Sequence, residues 1–317
     1  MKAVTHKIAG VVFRTESNRE LPLLGGDPFK LFVTAGDSFD VHNSVSRVDV
    51  DPATASLPRK KRQETFYNDS RIPQDWLNNP FFKCPRVRER LNALPDDAAA
   101  RKIWVEEHYV YIYNFSCNRL DIFYSEEFGG FVAERRKYMP EHCVAANLQQ
   151  IFSSFLPNFS AILLHAAGVI RADRAVLFFA PDEGGKTTVV RHANGHPVLS
   201  DDQLILRRKD GDIVAHATPL GMMTSGPCQA KVGAVFLLEK APAFGLKSVA
   251  PAEFVQCIWS MHQNNTFFLP RNLKKAAFQI LCNLSYQVPA YLMRFPENFV
   301  DWDAIDAATE AAVDTGK

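Results

Sequence analysis

The chain opens with short apolar runs separated by polar breaks. KIAGVVFRT (7–15) and PFKLFVTAG (28–36) both read as strands, with turns at Gly25-Gly26-Asp27 and Gly36-Asp37. From about 43 to 75 large apolar residues thin out and the basic run Arg59-Lys60-Lys61-Arg62 appears, which predicts a long polar loop with a solvated charge cluster. Aromatic and β-branched residues return in KIWVEEHYVYIYNF (102–115) and LDIFYS (120–125), and Ser116-Cys117-Asn118 between them predicts an antiparallel hairpin. GGFVAERR (129–136) suits a further strand. Val144, Leu148, Ile151, Phe152 and Phe155 then recur at helical spacing, so an amphipathic helix is expected to end near Pro157.

Beyond this helix the rhythm changes. AILLHAAGVI (161–170) and AVLFFA (175–180) are nearly continuous apolar runs, as expected of buried strands. A loop, PDEGG, leads into a helix from Lys186 to about Ala193, stopped at Asn194-Gly195. HPVLSDD, QLILRR, DIVAHA, VGAVFLLEK and PAYLMRF read as strands; PAEFVQCIWSMH and RNLKKAAFQILCNLS read as helices. The pattern predicts a strand-rich domain over 1–150 and an α/β domain over 151–317, α+β overall. No repeat at periods of 20–50 residues is present.

Composition narrows the function only a little. The 317 residues are 47% hydrophobic and 22% charged, and 36 basic against 35 acidic residues give no drive towards nucleic acid or a membrane surface. The six cysteines are scattered without a CxxC pair, which argues against a zinc site and a disulfide framework and suggests buried thiols in a reducing compartment. The start, MKAVTHKIAGVVFRTES, is too polar for a signal peptide, and no run approaches a membrane span, so a cytoplasmic protein is expected.

The segment that carries chemistry is strand–loop–helix, AVLFFA-PDEGG-KTTVV. Ala180 to Thr187 matches the phosphate-binding pattern GxxxxGK[ST] at every position but the first glycine. In such a loop Asp182, Glu183, Gly184 and Gly185 curl the backbone around phosphate oxygens, and the following helix start favours the same anion. Lys186 reaches the β- and γ-phosphates, Thr187 ligates Mg²⁺, and Thr188 closes the set. Ala180 and Pro181 constrain the loop, and Glu183 is repelled by a triphosphate unless it faces a cation or solvent. Asp201 and Asp202 end the next buried strand, where one carboxylate can hold Mg²⁺ and another can take a proton from an attacking hydroxyl. His165 needs a polar partner on its apolar strand. His192 and His196 flank a helix break and are rejected as a metal pair.

LLHAAGVI, VLFFAPDEGGKTTVV and PVLSDDQLIL, in that order, resemble the HPr kinase/phosphorylase superfamily over roughly 160–225. The pattern is more similar to HPr-kinase-related bacterial proteins, some of them in peptide-modification cassettes of the lasso-peptide or SynChlorMet type, than to HPr kinase itself. The resemblance implies a P-loop kinase core akin to phosphoenolpyruvate carboxykinase, with ATP and Mg²⁺ as cofactors. It casts Asp201 as the catalytic base, Asp202 as a metal carboxylate, and His165 as a residue that tunes the base. The expected activity is phosphorylation of a serine-type hydroxyl on a peptide or small molecule. The alternative is a degenerate P-loop module that binds a nucleotide or peptide without turnover. A carboxykinase-like lyase would need further metal and carboxylate ligands that the sequence does not offer. A homo-oligomer is compatible with the pattern, and HPr is not expected as substrate because its docking signature is missing.

Overall fold

The computed structural model describes residues 2–17, 29–35, 38–47, 65–67, 80–97, 100–105, 109–124, 149–193, 195–266 and 269–314. The chain divides into two compact units, and the division in the main chain falls between Ile151 and Phe152. Two separate sheets give a mixed α/β content of α+β type.

The first unit is built on a seven-stranded sheet. Its strands are β1 (Lys2–Ile8), β2 (Val11–Ser17), β3 (Val41–Arg47), β4 (Thr65–Tyr67), β5 (Arg101–Val105), β6 (Tyr109–Asn114) and β7 (Arg119–Tyr124). They lie in the order β1-β2-β3-β7-β6-β5-β4. β2 alternates buried and half-buried positions along its whole length, as a strand with one covered face must. β6 and β7 form the expected antiparallel hairpin, whereas β3 is parallel to both of its neighbours. Short helices α1 (Pro80–Lys83) and α2 (Pro85–Asn92) supply Phe81, Phe82 and Val87 to a core with Val110, Ile112 and Phe123.

Three expectations are corrected here. Residues 29–32 form a 3₁₀ turn instead of a strand, and Val33 makes only a single bridge, to His6. Part of the expected polar loop is β3, a central strand. Its Asn43, Ser44 and Ser46 are buried, with Asn43 donating to Thr15 Oγ1 at 2.5 Å and Ser44 to Asp121 at 2.6 Å. Paired polar side chains, not apolar ones, fill that face, so hydrophobic periodicity misses it. The five described cysteines are free, but Cys117 is exposed and the rest half-buried, so none is a fully buried small hydrophobe. The turns at 25–27 and 36–37, the run 59–62 and GGFVAERR lie outside the described residues.

The second unit takes up the chain at the helical residues 152–155 and a 3₁₀ turn, Leu156–Phe159, where the expected helix meets Pro157. Its eight strands are β8 (Ala161–Arg171), β9 (Arg174–Phe179), β10 (Val198–Ser200), β11 (Gln203–Lys209), β12 (Asp212–His216), β13 (Gln229–Lys240), β14 (Gly245–Val249) and β15 (Ala290–Phe295). The helices are α3 (Lys186–Arg191), α4 (Pro251–Thr266), α5 (Arg271–Gln287) and α6 (Trp302–Asp314). Neither β14 nor α6 was expected from the pattern. The pairing β8-β11-β12-β13-β9-β8 returns to its start, so five strands close a ring from which the others extend. Closure is possible because β8 and β13 change partners along their length.

The core beneath α3 joins Val189 and Val190 to Phe178, Phe236, Met293 and Phe295, with Trp302 and Ile305 from α6. Trp302 meets Phe178 edge-on and donates its indole N–H to His192 O at 2.7 Å. Arg171 stacks over Trp302 and pairs with Asp306, which ties α6 to β8. Among the described residues no helix is long and apolar enough to cross a membrane.

Candidate functional site

β8 is buried on both faces except at one position in its first nine residues, His165. That residue stands where β8 exchanges β11 for β9: His165 pairs with Gln203, and Ala166 pairs with Phe179. The strand switch therefore brings three separate sequence segments to one point: the end of β9, the Asp201-Asp202 turn, and the histidine between them.

Loop 180–185 leaves β9 and enters α3 through Gly185, whose φ is +100°. A Cβ at 185 would fall 2.5 Å from Phe295 Cζ, so both conformation and space call for glycine. Ala180 has no positive φ, and its buried methyl fills the room that Gly184 leaves: a Cβ on Gly184 would sit 2.5 Å from it. The departure at 180 is thus accommodated by the glycine at 184. Glu183 takes a left-handed φ of 61°, and both it and Asp182 are exposed.

A cleft of about 250 Å³ is lined by 182–188 together with His165, Asp201 and Asp202. Every candidate residue read from the sequence borders it. Lys186 is 7% exposed, and its Nζ donates to Ala180 O at 2.7 Å and Pro181 O at 3.1 Å. Burial pushes its pKa down, against the opposing pull of Asp202 and Asp182. Thr187 Oγ1 donates to Asp201 Oδ2 at 3.4 Å. The other oxygen, Oδ1, accepts the backbone N–H groups of Met222 at 2.9 Å and Met223 at 3.0 Å.

Asp202 is held differently. His165 Nε2 lies 2.8 Å from its Oδ1 and 3.5 Å from Asp182 Oδ1, and Gln203 Nε2 donates to Asp202 Oδ2 at 3.4 Å. Burial acts to raise the Asp202 pKa, but the His165 hydrogen bond and charge, Lys186 and Gln203 outweigh it and hold the group below its ordinary value. His262 on α4 is 2% exposed, and burial, then the charges of His165 and Lys186, push its pKa down to about 3.

Comparison with known proteins adds little at this point. No family model matches the chain, and no curated protein does. Among solved structures, the Hpr(Ser) kinase/phosphatase from Coxiella burnetii aligns at 10% identity and a TM-score of 0.23, over 48% of this chain and 95% of that one. Similarity at that level carries no argument about activity, so the chemistry rests on the cleft.

Residues that the sequence reading passed over are Gln203, the 221–223 turn, His262 and Phe295. Gln203 directly follows the acid pair, and its amide reaches the carboxylate of its own sequence neighbour, Asp202. The turn is 20 residues from Asp201 in sequence, and only the GMMTSG texture marks it as a bend. As a donor set, Thr187 Oγ1 and Asp201 Oδ2 are hard oxygens of the kind Mg²⁺ takes.

Proposed function

We propose that this cleft binds ATP with Mg²⁺ and transfers the terminal phosphoryl group to a serine-type hydroxyl on a peptide or small molecule. The observation that carries the reading is the convergence of Lys186, Thr187, Asp201, Asp202 and His165, from three chain segments, on one open cleft.

Lys186 now donates to two neutral carbonyls; a phosphate oxygen would form the stronger, charge-assisted bond and draw Nζ towards the cleft. Thr187 and Asp201 would hold Mg²⁺, which when bound draws negative charge off the transferring phosphate. Asp202 is the carboxylate left to meet the acceptor. We therefore give the acids the reverse of the roles that the family resemblance implies: Asp201, beside Thr187, serves the cation, and Asp202, steadied by His165 and Gln203, serves as base. In the transfer the acceptor oxygen forms its bond to the γ-phosphorus, the bond to the ADP oxygen breaks, and the acceptor proton passes to Asp202. A weak base suffices, because the hydroxyl sheds its proton late in a loose transition state.

The binding-only alternative draws on the carboxylates of Asp182 and Glu183, which add negative charge beside a triphosphate. Radiolabelled ATP offered with a panel of serine peptides and polyols separates the two. Mg²⁺-dependent label transfer supports the kinase; tight ATP binding with no transfer to any acceptor supports the binding module.

A further inference from the structure

Asp201 is only 4% exposed and is fixed from behind by a turn that no sequence motif marks. The segment 220–225 runs beside β10 and is fastened to it repeatedly. Ser225 N–H donates to Val198 O at 2.8 Å, Val198 N–H to Ser225 Oγ at 2.9 Å, and Thr224 Oγ1 to Leu199 O at 3.1 Å. Ser200 Oγ donates to Leu220 O at 3.3 Å. At the end of this seam the N–H groups of Met222 and Met223 both meet Asp201 Oδ1.

Such close approach needs glycine at 221. A Cβ there would lie 2.7 Å from Asp201 Oδ1 and 2.8 Å from Ser200 Oγ, and 3.6 Å from Asp202 Cβ. Two converging backbone donors and a missing side chain thus decide which carboxylate oxygen is consumed inside the protein and which is left for the cleft.

We infer that the Gly221–Met223 turn is a positioning element that locks Asp201 with Oδ2 towards Thr187, and so sets how strongly Mg²⁺ tightens triphosphate binding. The inference rests on the nucleotide reading of the cleft. It makes Gly221 and the two amides positioning groups: they touch the carboxylate, not the substrate. Outer partners of a metal carboxylate typically govern metal affinity by about 10–100-fold.

The lock has a consequence that simple loss of charge does not. In Asp201→Asn only the amide oxygen can face the Met222 and Met223 N–H groups, so the NH₂ must point to Thr187 in place of Oδ2. Without a lock the side chain would turn over and offer its oxygen to the cation.

The test is ATP affinity of the full chain by calorimetry, with Mg²⁺ and with chelator, for wild type, Gly221→Ala, Asp201→Asn and Thr224→Val. Gly221→Ala is expected to lose at least about tenfold of the Mg²⁺ enhancement while its metal-free ATP affinity stays within about twofold. Asp201→Asn should lose the enhancement entirely. Thr224→Val loosens the same seam away from the carboxylate, so it should lower thermal stability and keep the Mg²⁺ effect. Should Gly221→Ala not fold, Asp201→Asn decides alone. A folded Gly221→Ala with the full enhancement, or an Asp201→Asn that keeps part of it, overturns the inference and leaves the nucleotide site standing. Wild-type protein that binds no ATP overturns both.

Discussion

Substituting Gly184 by alanine tests how the loop tolerates its unusual first position. The new methyl would meet Ala180 Cβ at 2.5 Å and Pro181 O at 2.9 Å. Neither neighbour can swing away, because one is a buried Cβ and the other backbone. Overpacking of this kind costs about 1–3 kcal/mol. Ala180→Gly has its own cost: Ala180 is 1% exposed, so the variant loses one buried methyl, about 0.8 kcal/mol, and gains glycine's chain entropy, about 0.5–1 kcal/mol. In the double variant the clash between the two methyls disappears while the contact with Pro181 O remains. The double variant should therefore be more stable than the summed single costs allow, by about 1 kcal/mol. Urea unfolding followed by tryptophan fluorescence reads this directly, since Trp302 packs on Phe178 in the core beneath the loop. Additive costs, within about 0.5 kcal/mol, would refute the idea that residues 180 and 184 share one space.

Two further outcomes follow from the same geometry. Asp202→Asn should keep Mg²⁺-ATP affinity within a few-fold and slow phosphoryl transfer by about 10²–10⁴, the usual worth of a positioned base; unimpaired transfer to a responsive acceptor would return that role to Asp201. His262 is buried neutral, with a folded pKa depressed to about 3 from 6.5. Its contribution is therefore complete above about pH 6.5 and is lost as pH falls towards about 3, at about 1.4 kcal/mol per pH unit. Between pH 7 and 5 the wild type should lose about 2 kcal/mol more than His262→Gln in urea titrations. Parallel losses in the two proteins would mean that His262 is not held neutral.

Local structure in the second unit was legible because it is written in contiguous patterns. The runs AILLHAAGVI and AVLFFA gave strands, PDEGGK gave the turn into α3, and SDD gave the acid pair at the end of β10. His165, the loop from Asp182 to Thr188, and the pair Asp201 and Asp202, all named from those patterns, border the cleft. The arrangement among them was not legible. Whether Asp201 or Asp202 meets His165 depends on the register of β8 against β11, a pairing across nearly 40 residues that periodicity does not encode. The 221–223 turn escaped notice because it acts through backbone amides, which any sequence supplies, and through one glycine among 16. In the first unit, β3 was hidden because Asn43, Ser44 and Ser46 are buried with polar partners, the reverse of the texture that marks a central strand. The helices α1 and α2 are too short to display a period.

The central claim is that loop 180–188 grips a triphosphate through Lys186. Its most direct test is calorimetric titration of ATP, with and without Mg²⁺, into the wild type and Lys186→Ala. The account predicts Mg²⁺-dependent binding to the wild type that falls by at least about 100-fold in Lys186→Ala, the worth of one or two charge-assisted phosphate contacts. Equal affinity in the two proteins, or no binding to either, would contradict it.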